Sequence, residues 1–155
     1  MIDAIKQFFD KYLAGSADAR TPAGEHALQL ATAALLIELT RLDDTVHDEE
    51  RQAVSAAVQR KFGLSAAETA ELVRLAEAEA RQATSYYQFT SLINKAFTLA
   101  QKIQVVEHLW EIALADAELH RYEEHMIRRI ADLLYVPHPD FIAAKHRVQA
   151  RLGGA

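Results

Sequence analysis

The sequence predicts an all-α fold: a single domain of seven or eight helices that contains two pseudo-symmetric αα-hairpins. Three observations predict it. Nearly every segment of the 155 residues carries apolar side chains at helical spacing, and none alternates as a useful strand would. Gly and Pro mark the breaks between these segments. One stretch of the first half recurs in the second half at a constant offset, since Glu38 and Glu111 are 73 positions apart.

Signals at the ends of the segments place the helices. Thr21 is expected to be the N-cap of the second helix, with Pro22 as its first residue. Gly63 is a natural C-cap for the third. Capping boxes open the fourth and sixth helices, from Ser65 to Glu68 and from Thr98 to Gln101. The predicted helices are 2–13, 22–42, 47–62, 66–81, 86–96, 99–115, 121–134 and 139–152.

Composition excludes several classes of protein. With no Cys, the chain has no disulfide, no thiolate metal site and no cysteine nucleophile. A net charge of −5 argues against nucleic acid as a partner, because phosphate binding needs clustered Lys and Arg. No secretory signal and no run of about 20 apolar residues is present, so we expect a cytoplasmic protein without a membrane span. No Gly-rich phosphate loop or hydrolase motif occurs, and we expect no enzyme.

The aromatic residues and most histidines have ordinary interpretations. Phe8 and Phe9 are expected in the core rather than as membrane anchors, and Phe89, Phe97 and Trp110 as packing within and between the repeats. Five histidines are expected at the surface or as helix caps: His26, His108, His125, His138 and His146.

The internal repeat spans about residues 26–64 and 99–137 and repeats polar as well as apolar positions. Four polar residue types recur in register, as do the apolar pairs Leu39/Ile112, Val46/Leu119, Ala53/Met126, Val54/Ile127, Ala57/Ile130 and Phe62/Tyr135. The repeat predicts two similar hairpins, formed by the second and third helices and by the sixth and seventh. We call the turn of the first hairpin the first tip and the turn of the second hairpin the second tip.

The repeated polar residues are expected to converge at these tips, because a hairpin brings the end of one helix beside the start of the next. They are Glu38, Asp43, His47 and Glu50 at the first tip and Glu111, Asp116, His120 and Glu123 at the second. Carboxylates facing an apolar interior are costly unless they are paired, hydrogen-bonded or bound to a cation. Oxygen ligands favour Ca²⁺, Mg²⁺ or Mn²⁺, and the histidines admit Zn²⁺. The sequence therefore predicts a divalent metal site at one or both tips.

A second interpretation explains part of this pattern without a metal. A Glu three residues after a helix start is the form of a capping box, so Glu50 and Glu123 can hydrogen-bond to backbone N–H groups at residues 47 and 120. Asp43 and Asp116 can shape the turns. Capping explains the histidines less well, since His is a mediocre N-cap, and it does not explain Glu38.

At this repeat the chain resembles the tellurite-resistance TerB-like family, which carries an Ala-Asp-Gly-x-apolar-x-x-x-Glu pattern twice. Residues 115–123 match except that Ala117 replaces the Gly, and residues 42–50 match less fully, with Asp44 at that position. The resemblance covers about residues 25–150. It implies an acidic helical domain that serves as a metal-binding or scaffolding component of bacterial stress and resistance systems. The family's acids correspond to Asp43, Glu50, Asp116 and Glu123.

Two functions follow as expectations. The first is a non-enzymatic protein that binds a divalent metal and acts in tellurite resistance or a stress response. The alternative is a scaffold or co-chaperone-like module that docks a partner protein without a metal. A protein partner is expected in either case, whereas the sequence does not predict its identity or the oligomeric state.

Overall fold

The computed structural model describes residues 2–12, 22–42, 46–81, 87–115 and 120–152. Within these ranges the chain forms helices only, which confirms the predicted all-α class. The 8 helices are α1 (Ile2–Tyr12), α2 (Pro22–Leu42), α3 (Asp48–Phe62), α4 (Ala66–Ala80), α5 (Gln88–Ala96), α6 (Leu99–Ala115), α7 (His120–Leu133) and α8 (His138–Leu152). Their ends agree with the predicted ends to within a residue or two.

The end signals read from the sequence account for this agreement. Gly63 has a left-handed backbone with φ of 63°, and its N–H donates to the carbonyl of Gln59. At the start of α4 the Glu68 N–H donates to Ser65 Oγ at 3.0 Å, and the Ser65 N–H donates to Glu68 Oε1 at 2.9 Å. Thr98 and Gln101 make the same reciprocal pair before α6, at 3.2 and 2.8 Å. Thr21 lies outside the described residues.

Helix α2 lies at the centre of the molecule. Every residue from 30 to 40 is buried, on all sides of the helix. It packs against α3, α4, α5, α6 and α7, and a helix that is apolar all round requires such enclosure. Because Glu38 lies within this stretch, its carboxyl group is held in the core.

The structural repeat is larger than the sequence predicted. In the first half α2 packs against α3 and α4, and in the second half α6 packs in the same way against α7 and α8. Helices α2 and α6 also pack against each other, so that the two halves share one core. The repeat unit therefore has three helices, with α4 and α8 as its third members.

Of the five paired apolar positions that the structure describes in both halves, three are buried in both: Leu39 with Ile112, Val54 with Ile127 and Ala57 with Ile130. In a fourth pair Met126 is buried and Ala53 is half-buried. The pair Phe62 and Tyr135 is an exception, because Phe62 is 5% exposed and Tyr135 is 76% exposed. The backbone explains the difference. Helix α7 ends at Leu133, and Tyr135 then adopts a left-handed conformation with φ of 59° that turns its ring away from the core.

Helices α1 and α5 lie outside the repeat and cover one side of α2 and α4. The Phe8 ring meets the Phe89 ring edge-on at 5.9 Å, and Phe9 is buried beside them, which confirms the predicted core role of these phenylalanines. Among the described helices, none is both long enough and apolar enough to cross a membrane.

Candidate functional site

The first tip presents an acidic helix start whose histidine does not cap the helix. His47 is the N-cap residue of α3, but its side chain makes no capping hydrogen bond and is exposed to solvent. Asp48, Glu49 and Glu50 follow in the first turn, and Glu50 is half-buried. Asp43 lies outside the described residues. The His47 side chain therefore does not cap α3, and three acidic residues follow it directly in the sequence.

The second tip is described only by its backbone. Helix α7 begins at His120 and includes Glu123 in its first turn, as predicted. Asp116 and the side chains of His120 and Glu123 lie outside the part of the chain that the structure describes. Their predicted role as ligands stays a prediction.

Glu38 is directed to α5, not to the first tip. Its Oε2 accepts the backbone N–H of Phe89 at 2.8 Å. Its Oε1 accepts the N–H of Thr90 at 3.1 Å and the Thr90 hydroxyl at 2.7 Å. Both oxygens therefore satisfy donors at the N-terminus of α5, which has no intrahelical partners for its first N–H groups. A residue of α2 caps a helix 51 positions further along the chain.

A second buried carboxylate, Glu79 on α4, joins this cap. Its Oε2 accepts the N–H of Gln88 at 2.7 Å, and the residue is only 1% exposed. Sequence reasoning missed Glu79, although its spacing carries the signal. Leu72, Ala76 and Glu79 share the buried face of α4 at helical intervals, so an acid there points into the core.

The two carboxyl groups act on each other. Burial, and then the hydrogen-bond contact with Glu79 and its charge, raise the pKa of Glu38 well above the ordinary value of 4.5. The hydrogen bonds from Thr90 and Phe89 oppose this shift in pKa but do not cancel it. Like charges this close in a dry interior repel each other, so Glu38 keeps its proton to a higher pH than an exposed glutamate does. Glu79 Oε1 is buried and has no hydrogen-bond partner among the described residues.

The chemistry of this pair is that of a helix cap with a titratable charge. The carboxyl oxygens of Glu38 and Glu79 lie at the N-terminus of α5, where the helix dipole favours an anion. Backbone N–H groups point at the carboxyl oxygens, which disfavours a metal ion at the same place. Among the described residues, no group of three or more His, Asp or Glu side chains is placed to hold a metal ion.

Glu111, the repeat equivalent of Glu38, has a different environment. Its Oε1 accepts from the Arg151 guanidinium at 3.3 Å, and His108 Nδ1 lies 3.8 Å away. His108, Arg151 and Lys61 lower the pKa of Glu111, more than its partial burial raises it. His108 is only 7% exposed and also lies 3.3 Å from Glu25, so the expectation that it is a surface residue or a cap was wrong.

In each half, a glutamate on the first helix of the repeat unit (α2 or α6) contacts a residue on the third helix (α4 or α8). The two halves differ in the type of that third-helix residue. In the first half Glu38 meets Glu79, and in the second Glu111 meets Arg151. The equivalence follows from the helix starts, since Ala66 and His138 are 72 positions apart, as are Glu79 and Arg151. One half therefore has an ion pair at the surface, and the other has a buried carboxyl pair covered by α5.

Comparison with known families supports the sequence resemblance. The model of a family described as tellurite resistance protein TerB matches residues 29–146, which is most of the chain and includes both hairpins. No curated protein and no solved structure matches the chain.

Proposed function

The chain belongs to the tellurite resistance protein TerB family, and on this premise we propose that it is a non-enzymatic cytoplasmic protein that binds a divalent cation at its hairpin tips. The cation-loaded form would serve tellurite resistance or a related stress response, together with a protein partner. The family membership supports the general class of protein. The cation site is supported by the geometry of the first tip.

The single observation that carries the cation site is the state of His47 and Glu50. His47 starts α3 without using its side chain as a cap, and no other described residue bonds to the Glu50 side chain. Of the three consecutive acids, Asp48 is paired with Arg51 at 3.2 Å, whereas Glu50 is half-buried without such a partner among the described residues. A bound cation would supply Glu50 with an opposite charge and would make the His47 imidazole a ligand.

The proposed ligands are Asp43, His47 and Glu50 at the first tip. Asp116, His120 and Glu123 are the proposed ligands at the second. Glu38 and Glu111 are left out of this set because α5 and Arg151 already occupy their oxygens. Two carboxylates with one imidazole suit Mn²⁺ or Zn²⁺, and additional carbonyl or water oxygens would suit Ca²⁺ or Mg²⁺.

Calorimetric titration of metal-stripped protein with Ca²⁺, Mg²⁺, Mn²⁺ and Zn²⁺ tests the proposal. We expect saturable binding of at least one of them in the wild type. Glu50→Gln should abolish or weaken binding at the first tip by roughly tenfold, because a coordinating charge is lost. Glu123→Gln should do the same at the second tip, and the double variant should bind at neither.

Glu49→Gln is the matched control, since it removes the same charge from the same helical turn. Position 49 corresponds to Tyr122 in the second hairpin and is not part of the repeated set. Equal weakening by Glu49→Gln and Glu50→Gln would show a diffuse attraction for cations and contradict a site. Absence of heat with all four metals would also contradict the proposal and favour a metal-free docking module.

A further inference from the structure

A groove of about 500 Å³ lies between α7 and α8, over Trp110 of α6. Its apolar part is formed by Trp110, Phe141 and Ile142. Its polar part is formed by Glu124, His125, Arg128, His138 and Lys145. The volume falls within the range of sites that hold small organic ligands.

The floor of the groove is aromatic. The Trp110 ring is 1% exposed and packs at 5.3 Å against Phe141, whose ring lies 5.8 Å from that of His138. The Trp110 indole N–H is buried and has no acceptor among the described residues. A buried indole N–H normally finds a partner, and no residue of the described part of the chain supplies one here.

The rim of the groove is basic, although the chain as a whole carries a net charge of −5. Lys145 Nζ lies 5.0 Å above the Trp110 ring and 3.6 Å from Glu124, the one carboxylate among the groove residues. Arg128 is exposed and has no hydrogen-bond or ion-pair partner within the described ranges. Its guanidinium and the two imidazoles are available to a ligand, and a guanidinium fits carboxylate and phosphate oxygens in a two-point contact.

From these contacts we propose that the groove binds a small organic anion, with an aromatic or apolar body over Ile142 and Phe141 and a carboxylate or phosphate group held by Arg128 and Lys145. The apolar body covers the exposed part of the floor, and the anionic group neutralises the basic rim. The two cationic side chains Arg128 and Lys145 outnumber the one carboxylate of the groove, Glu124, so the charge of the groove favours an anionic occupant.

Trp110 is the only tryptophan of the chain, so its fluorescence reports directly on the groove. We would titrate the full chain with phenyl phosphate, benzoate, inorganic phosphate and neutral benzyl alcohol, with a chelator present so that no cation at the second tip bridges the anion. We expect a saturable change with phenyl phosphate or benzoate. Inorganic phosphate and benzyl alcohol should each bind more weakly, because each has only half of the recognised groups. Comparison of the two aromatic anions tells which anionic group the groove prefers.

Two variants test the assignment. Arg128→Gln and Lys145→Gln should each weaken binding by roughly tenfold, the loss expected for one charge-assisted hydrogen bond. Because Lys145 lies over the fluorophore, its variant is measured by calorimetry. Lys95→Gln, the same charge change on an exposed residue of α5, should bind like the wild type.

The proposal is overturned if neither aromatic anion gives a saturable signal, or if benzyl alcohol binds as tightly as phenyl phosphate. It is also overturned if Arg128→Gln binds as the wild type does, or if Lys95→Gln is weakened as much. Circular dichroism of each variant identifies loss of fold, which is not expected for the exposed Arg128.

Discussion

The charge state of Glu38 is the clearest consequence of the fold for a single residue. Between its ordinary pKa of 4.5 and its raised pKa in the folded protein, the folded state holds a proton that the unfolded state has released. The free energy of unfolding must then fall as the pH rises through this window. Glu79→Gln should weaken this dependence, because an amide can donate to Glu38 and accept from the Gln88 N–H without a second charge, whereas the larger contribution to the raised pKa, from burial, remains. As the pH rises from 4 to 8, the wild type should therefore lose more stability than Glu79→Gln does.

Urea denaturation of both proteins across pH 4 to 8 measures this effect. Glu49→Gln serves as a control, because it removes an exposed carboxylate and should leave the pH dependence of stability unchanged. Equal slopes of stability against pH in Glu79→Gln and wild type would mean that Glu79 does not contribute to the raised pKa of Glu38.

Helix α5 depends on this pair for its start. It has 9 residues, which is short for an independent helix, and its N-cap residue Tyr87 has no side-chain capping bond. Glu38→Ala leaves two backbone N–H groups and the Thr90 hydroxyl without their acceptor. At about 1–3 kcal/mol for each buried unsatisfied group, we expect a loss of at least about 3 kcal/mol of stability. Hydrogen exchange should show lost protection at the amides of Phe89 and Thr90.

Glu38→Gln is the matched variant, since its amide oxygen still accepts from α5 and its amide nitrogen can donate to Glu79. It should keep most of the protection that Glu38→Ala loses. Wild-type exchange rates at Phe89 and Thr90 in Glu38→Ala would refute the capping role.

The same helices show what a single sequence can predict. Helix ends could be predicted because their signals are local, as at Gly63 and in the capping box of Ser65. The burial of Glu38 could be predicted from its place in an apolar stripe, but its partner could not. Its donors are more than 50 positions away, and periodicity defines a face without saying what covers it. The predicted convergence of Glu38 on the first tip failed for this reason.

The sequence revealed only two of the three helices of each repeat unit, because the third helices do not keep the same spacing. The hairpins keep the offset of 73 from Glu38 to Glu111, whereas the third helices are shifted by one residue. Their polar positions have also diverged, with Glu79 in one half and Arg151 in the other. A sequence comparison at one fixed offset therefore misses α4 and α8, although packing against α2 and α6 preserves the equivalence.

For the molecule as a whole, the enclosure of α2 predicts that the first half of the chain does not fold independently of the second. Residues 30–40 are buried on all sides, and α5, α6 and α7 supply part of that cover. A fragment of residues 1–81 would expose this apolar surface and would leave Glu38 and Glu79 facing each other without the donors of α5. We expect it to lack a cooperative urea transition, whereas the full chain should unfold in one step. Mixing it with a fragment of residues 82–155 should restore helicity and cooperativity, because the complement supplies the missing helices. A cooperative transition of the 1–81 fragment alone would show that the first half has its own core and that the contact between α2 and α6 is only an interface between two independent units.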